Sequence, residues 1–209
     1  MAILEDIALS VEKGDEASVG ELTQKAVSEG IAPTEILDNA LVAGMNVVGE
    51  KFKNNEVFIP EVLVSARAMK AGMGIVRPLL AEANIESKGN IVVGTVKGDL
   101  HDIGKNIVGM LLEGAGYEVT DLGTDVSVEQ FMEVVEKGAN VIGLSALLTT
   151  TMTYMKEVIQ AVDDAGIRDK VKVIIGGAPI TQSYADEISA DGYAPDAASA
   201  VDLVKGLLG

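Results

Sequence analysis

The sequence predicts an α-helical bundle followed by a doubly wound α/β domain, and three observations carry the prediction. Up to about Asn84, apolar residues recur at three- and four-residue spacing, the period of amphipathic helices. From Ile91 onward, short apolar runs alternate with helical segments five times over. The 209-residue chain is 48% hydrophobic but only 3% aromatic. Its core must therefore be built from aliphatics, Met and Ala, which suits helices packed on a buried parallel sheet.

Composition excludes several functions. With 32 acidic and 16 basic residues the net charge is −16, so the surface repels nucleic acid and anionic lipid and favours partners with basic faces. Cysteine is absent, which removes disulfides, zinc knuckles and thiol catalysis. No apolar run is long enough to span a bilayer, and Met1–Asp6 lacks the basic start of a signal peptide. A cytoplasmic protein, binding neither nucleic acid nor membrane, is expected.

The first segment divides into four helices. One opens near Ile3–Glu12. A second starts from a capping box of Ser18 and Glu21 and runs towards Gly30. The third carries Pro33 in its first turn and a stripe of Leu37, Ala40, Leu41, Gly44, Met45, Val48 and Phe52. The fourth carries Ile59, Val62, Leu63, Ala66, Met69, Met73, Val76 and Leu80, with the two methionines read as core. Between the last two helices lies Lys51–Pro60, which holds two of the three phenylalanines. Phe52 and Phe58 either close the end of the bundle or form an apolar lid over a ligand. Ala83–Asn90 reads as a linker, giving a helical domain over residues 1–85 and an α/β domain over 90–209.

In the second domain the strands fall at Ile91–Val96, Tyr117–Leu122, Val141–Ala146, Val171–Ile175 and Gly192–Ala194. The intervening helices follow His101, open at the capping pair Ser127 and Gln130, and cover Thr153–Ala165, Ser183–Ser189 and Ala197–Leu208. Such alternation implies right-handed crossovers and a parallel sheet, and five strands suit the flavodoxin-like order 2-1-3-4-5. Its crevice opens at the carboxyl ends of strands one and three. The unusual residues fall at such ends: Gly98-Asp99-Leu100-His101-Asp102-Ile103-Gly104 after strand one, Ser145–Thr151 after strand three, and Gly176-Gly177-Ala178-Pro179 after strand four. Small and hydroxyl residues there point to an extended ligand threaded against backbone, although ordinary tight turns use the same types.

His101 is the only histidine. Asp99 can accept a hydrogen bond from one ring nitrogen, fixing the tautomer and raising the basicity of the other. A zinc or non-haem iron site would need further ligands, commonly His or Cys, and the chain has none. Two readings remain open: a tetrapyrrole-type cofactor that needs one axial ligand, or acid–base chemistry by an Asp99–His101 dyad.

The string Asp99-x-His101-x-x-Gly104, followed by Ser145-x-Leu147 and Gly176-Gly177, resembles the cobalamin-binding signature of corrinoid methyl-transfer proteins. Val96–Val108 and Phe58–Lys70 are similar to the cobalamin module of cobalamin-dependent methionine synthase. The resemblance covers essentially the whole chain and points to the corrinoid protein of a three-component methyltransferase system for methylated amines, methanol or aryl methyl ethers. It implies a base-off corrinoid with His101 as the lower ligand of cobalt. Asp99 would hydrogen-bond His101, and Thr151 would stand where the family has a serine completing a proton relay.

By the same resemblance, the nucleotide tail would pass Gly104, Ser145, Leu147, Thr149, Gly176, Gly177 and Ala197. The bundle would cap the methyl-bearing face through Phe52 and Ile59, with Asp38 nearby. The protein would be a carrier rather than a complete enzyme. Cob(I)alamin would accept a methyl group from a substrate-specific methyltransferase, and methylcob(III)alamin would donate it to a second methyltransferase, with tetrahydrofolate or coenzyme M as final acceptor. A reductive activation protein is a further expected partner. An adenosylcobalamin mutase subunit needs no helical cap. A B12-dependent regulator would add a DNA-binding segment, for which there is neither spare length nor a basic helix.

Overall fold

A computed structural model describes residues 2–85 and 87–209; Glu86, in the expected linker, lies outside the described residues. The chain forms two compact units, Met1–Lys88 with Glu113–Gly116, and Gly89–Leu112 with Tyr117–Gly209.

The first unit contains α1 (Ala2–Glu12), α2 (Glu16–Ser28), α3 (Pro33–Ile36), α4 (Ala43–Lys53) and α5 (Ile59–Glu82). A π-helical turn, Leu37–Val42, joins α3 to α4, so the unit is built from four helical rods. Repeat spacing does not announce a π turn, which adds one residue to a single turn while the apolar face continues. Ile36, Ala40, Leu41, Met45 and Val48 accordingly remain buried along that rod. Ile7, Val11, Val19, Val62, Met69 and Val76 are likewise buried on the other rods of the unit.

Two expectations need correction here. Ser18 does not cap α2, because Asp15 precedes it: its Oδ1 accepts from the Ser18 amide at 3.1 Å and its Oδ2 from the Ser18 hydroxyl at 2.7 Å. An Asp is as good an N-cap as a Ser, and the earlier of the two starts the helix. Phe58 does not close the bundle end. It is the N-cap residue of α5, in extended conformation outside the first turn, and is 62% exposed.

The second unit alternates strand and helix: β1 (Asn90–Thr95), α6 (Ile103–Gly114), β2 (Glu118–Asp121), α7 (Val128–Glu136), β3 (Val141–Ser145), α8 (Thr153–Asp164), β4 (Lys172–Gly176), α9 (Gln182–Glu187), β5 (Gly192–Ala194) and α10 (Ala197–Leu208). The sheet is parallel, in the order β2-β1-β3-β4-β5. Helices on both faces explain why β1 is buried from Ile91 to Thr95 without alternation. On one side Phe131 packs fully buried among Val96, Ile142, Leu144, Met155 and Val173. Gly94 makes room for its ring, since a Cβ there would lie 2.7 Å from Phe131 Cζ. Ser127 and Gln130 form the expected capping box of α7.

Register aligns Thr95, Ser145, Gly176 and Ala194 in one row across the carboxyl edge of the sheet. The chain order reverses between β1 and β3, so the loops leaving this row surround the topological switch point.

Candidate functional site

The loop after β1 turns at once. Asp99 N donates to Val96 O at 3.1 Å, and Gly98 holds φ at +80°, a conformation that costs glycine little and other residues more. Asp125, from the loop after β2, clamps this turn from outside. Its Oδ1 accepts from Gly98 N at 2.7 Å, and its amide donates to Asp99 O at 3.0 Å. The turn drives the Asp99 side chain inward until it is wholly buried.

Five donors converge on that carboxylate. Oδ1 accepts from His101 Nδ1 at 2.7 Å and from the His101 amide at 3.1 Å. Oδ2 accepts from Leu147 N at 2.8 Å, Leu148 N at 3.1 Å and Thr151 Oγ1 at 2.8 Å. Asp99 thus stitches the loop after β1 to the loop after β3. Burial pushes the carboxyl pKa up, but the hydrogen bonds from His101, Leu147 and Thr151 outweigh it and hold the group well below the usual carboxylate range.

The protonation state of Asp99 decides the state of His101. An ionised carboxylate only accepts, so the network assigns a proton to Nδ1 and leaves the lone pair of a neutral ring on Nε2. The His101 side chain is 52% exposed. The loop after β1 and the start of α6 carry Leu100 and Ile103, and the loop after β3 carries Leu147 and Leu148, all exposed large apolar side chains. Apolar side chains left exposed near one end of a sheet suit an apolar ligand.

The remaining residues singled out from the sequence are placed as follows. Asp102 is half-buried just before α6 and accepts from Asn106 through both its backbone and its side chain. A Cβ on Gly104 would meet nothing within 4 Å, so the first turn of α6 faces open space. Ser145 and Gly176 lie in the row at the sheet edge. Gly177 passes so close to β3 that a Cβ would stand 1.9 Å from Ala146 O. Thr149 and Ala178 are exposed, whereas Thr151 is 5% exposed. Ala197 opens α10 behind the N-cap Asp196. Asp38, Phe52 and Ile59 belong to the helical unit: Asp38 is exposed and pairs with Lys88 at 2.9 Å, Phe52 is half-buried and Ile59 is exposed.

Sequence reasoning missed Thr95, Asp125 and Lys105. Asp125 offered a weak signal, an acid in a Gly-Thr-Asp turn. Lys105 offered none: its side chain is 2% exposed in the first turn of α6, held by Asp121 at 2.5 Å and Asn106 at 2.7 Å.

These residues fit a metal carried in a macrocycle. One imidazole nitrogen is free, the loops that leave β1 and β3 carry exposed apolar side chains, and Gly104 faces open space. Among the described residues no group of three or more His, Cys, Asp or Glu could hold a bare metal ion. The architecture and site together are those of a parallel-sheet domain with one histidine held at the carboxyl edge of its switch point.

Comparison with known proteins agrees. A B12 binding domain matches residues 89–202, and a second B12 binding domain matches residues 3–77. A corrinoid protein of Desulfitobacterium hafniense is 47% identical over 100% of this chain and 99% of its own length. The dimethylamine corrinoid protein of Methanosarcina barkeri is 45% identical over 99% of this chain and 97% of its own. The crystal structure of the methanol:cobalamin methyltransferase complex MtaBC from Methanosarcina barkeri superimposes with a TM-score of 0.90 at 34% identity, over 99% of this chain and 80% of that one. The chain belongs to the family of B12-binding corrinoid proteins of methyltransferase systems. The group such domains take is cobalamin or a related corrinoid. No helix among the described residues is long and apolar enough to cross a membrane.

Proposed function

We propose that this protein carries a methyl group on a bound corrinoid, receiving it from a substrate-specific methyltransferase and delivering it to a second methyltransferase. The observation that supports this most is the Asp99–His101 pair, which holds the proton on Nδ1 and leaves the Nε2 lone pair free. Likeness to the methanol methyltransferase complex supports a methyltransferase partner, and likeness to the dimethylamine corrinoid protein supports a methylated amine upstream.

When bound, the cobalt centre supplies the nucleophile and the carrier, while the protein supplies ligation and orientation. His101 Nε2 would be the protein ligand. Asp99 would keep the proton on Nδ1 and so leave the Nε2 lone pair for the metal. Thr151 Oγ1 lies 2.8 Å from both Asp99 Oδ2 and Leu148 O. Its single hydrogen can favour either, which tunes the charge Asp99 offers the ring. Gly104, Ser145 and the Gly176-Gly177 turn line the path of the nucleotide tail in this reading. The helical half has a part of its own in this reading, with Asp38, Phe52 and Ile59 as the residues it would contribute. The B12-domain match over residues 3–77 supports that role.

Incubation of the purified protein with hydroxocobalamin tests the reading. A coloured one-to-one complex is expected, and His101→Ala should weaken retention at least tenfold or abolish the histidine-ligated spectrum. A colourless protein that refuses corrinoid would leave an acid–base enzyme using Asp99 and His101 instead.

A further inference from the structure

Three atoms of residue 101 are held. Asp99 takes two of them, the ring Nδ1 and the amide. The third is the carbonyl oxygen, which accepts a hydrogen bond from Thr95 Oγ1 at 2.8 Å. Thr95 is the last residue of β1 and has no exposed surface.

Its hydroxyl is not needed for the strand. The Thr95 amide donates to Gly123 O at 3.0 Å, and its carbonyl accepts from Val126 N at 3.0 Å. Its backbone is therefore satisfied without the side chain. A valine would fill the same volume and favour the same extended backbone. What threonine adds is one buried donor, aimed at the backbone of the only histidine.

The two anchors constrain different motions. Asp99 fixes the tautomer and the direction of the ring and ties it to the loop after β3. Thr95 belongs to β1, which is paired by β2 on one side and β3 on the other. Its bond ties the histidine backbone directly to the sheet.

We propose that Thr95 is a positioning residue for His101, its hydroxyl fixing the histidine backbone to β1 so that the imidazole stays in its ligating pose. This rests on the reading of His101 as the protein ligand to cobalt. Without the hydroxyl the His101 carbonyl loses its partner in a part-buried setting, and the loop relaxes to recover one from water.

The test compares wild type, Thr95→Val, Thr95→Ser and His101→Ala. Each is grown with 15N-labelled histidine, loaded with hydroxocobalamin and reduced to the paramagnetic cobalt(II) state. Electron paramagnetic resonance then gives the fraction of cobalt split by a histidine nitrogen, and thermal unfolding is recorded alongside. The ratio of unligated to ligated cobalt should rise about fivefold in Thr95→Val, as loss of one buried hydrogen bond implies. Thr95→Ser should restore the wild-type ratio.

An unchanged ratio in Thr95→Val beside a ligated wild type would overturn the proposal, even with a lowered melting point. No histidine splitting in the wild type would overturn the ligand assignment, and the proposal with it. If the valine variant does not fold, Thr95→Ala against Thr95→Ser makes the same comparison. A ratio raised in Ala and restored in Ser would support the proposal, and equal ratios in the two would overturn it.

Discussion

Gly177→Ala is expected to destabilise the α/β unit by about 3 kcal/mol or more, the range reserved for strained or overpacked sites. The added Cβ would stand 1.9 Å from Ala146 O and 2.9 Å from Ala146 C. These are backbone atoms in the segment leaving β3, so no side chain can turn away to relieve the clash. The backbone at Gly177 also holds φ at +133°, which L-residues rarely adopt. Relief would need the loops after β3 and β4 to part, carrying Leu147 and Leu148 away from Asp99. Urea unfolding of the apoprotein should show the loss of stability, and corrinoid binding should fall with it. A variant within about 0.5 kcal/mol of wild type would mean that the two loops separate at little cost.

Asp99→Asn is expected to have the second large effect, on stability and on the histidine together. The amide replaces one acceptor oxygen by a donor. If the NH2 group faces Leu147, Leu148 and Thr151, donors oppose donors in a buried site. If it faces His101, Nδ1 must become the acceptor, and the neutral ring then carries its proton on Nε2, where it cannot ligate. Either orientation should cost about 2–4 kcal/mol in urea unfolding and remove histidine ligation from most of the protein.

The same substitution should change the acid limb of stability. The folded-state pKa of Asp99 is depressed, so at low pH the unfolded chain binds the extra proton and stability rises with pH. The contribution of Asp99 is complete above the ordinary carboxylate value of about 4. It drains away as pH falls from there through the lower folded value. Asp99→Asn should lose this part of the acid dependence, seen as a shallower fall in unfolding free energy below about pH 4. An identical acid limb in the two proteins would remove Asp99 as its source.

The sheet was legible because each strand is a short aliphatic run bounded by turn residues, and the order followed because five alternating strands suit the flavodoxin-like arrangement. Strand ends came within a residue or two, for instance Ile91–Val96 expected and Asn90–Thr95 found. The helical half was legible as four rods but not in its details. The π turn at Leu37–Val42 leaves no mark on a three- and four-residue stripe, and Asp15 and Ser18 are both good caps. At the site, Asp99 and His101 were visible because an acid two residues from a lone histidine is itself a pattern. Thr95 and Asp125 were not visible, because their partners include the backbone atoms of His101, Gly98 and Asp99. Backbone is the same for every sequence and leaves no trace in residue type. Lys105 was hidden for another reason. Its partner Asp121 ends β2 whereas Lys105 is on α6, and only the folded domain brings the pair together.

The central claim is that His101 supplies the one protein ligand to the corrinoid metal, and the lone histidine of this chain makes it directly testable. Wild-type protein is prepared with ordinary and with 15N-labelled histidine, loaded with hydroxocobalamin and reduced to cobalt(II). Electron paramagnetic resonance of the first should show each cobalt line split into a triplet by one 14N nucleus. In the second the triplet should become a doublet, because 15N has half-integer spin and no other histidine can contribute. A triplet that survives the labelling would place the base of the corrinoid itself on the metal and contradict the account, as would the absence of any nitrogen splitting.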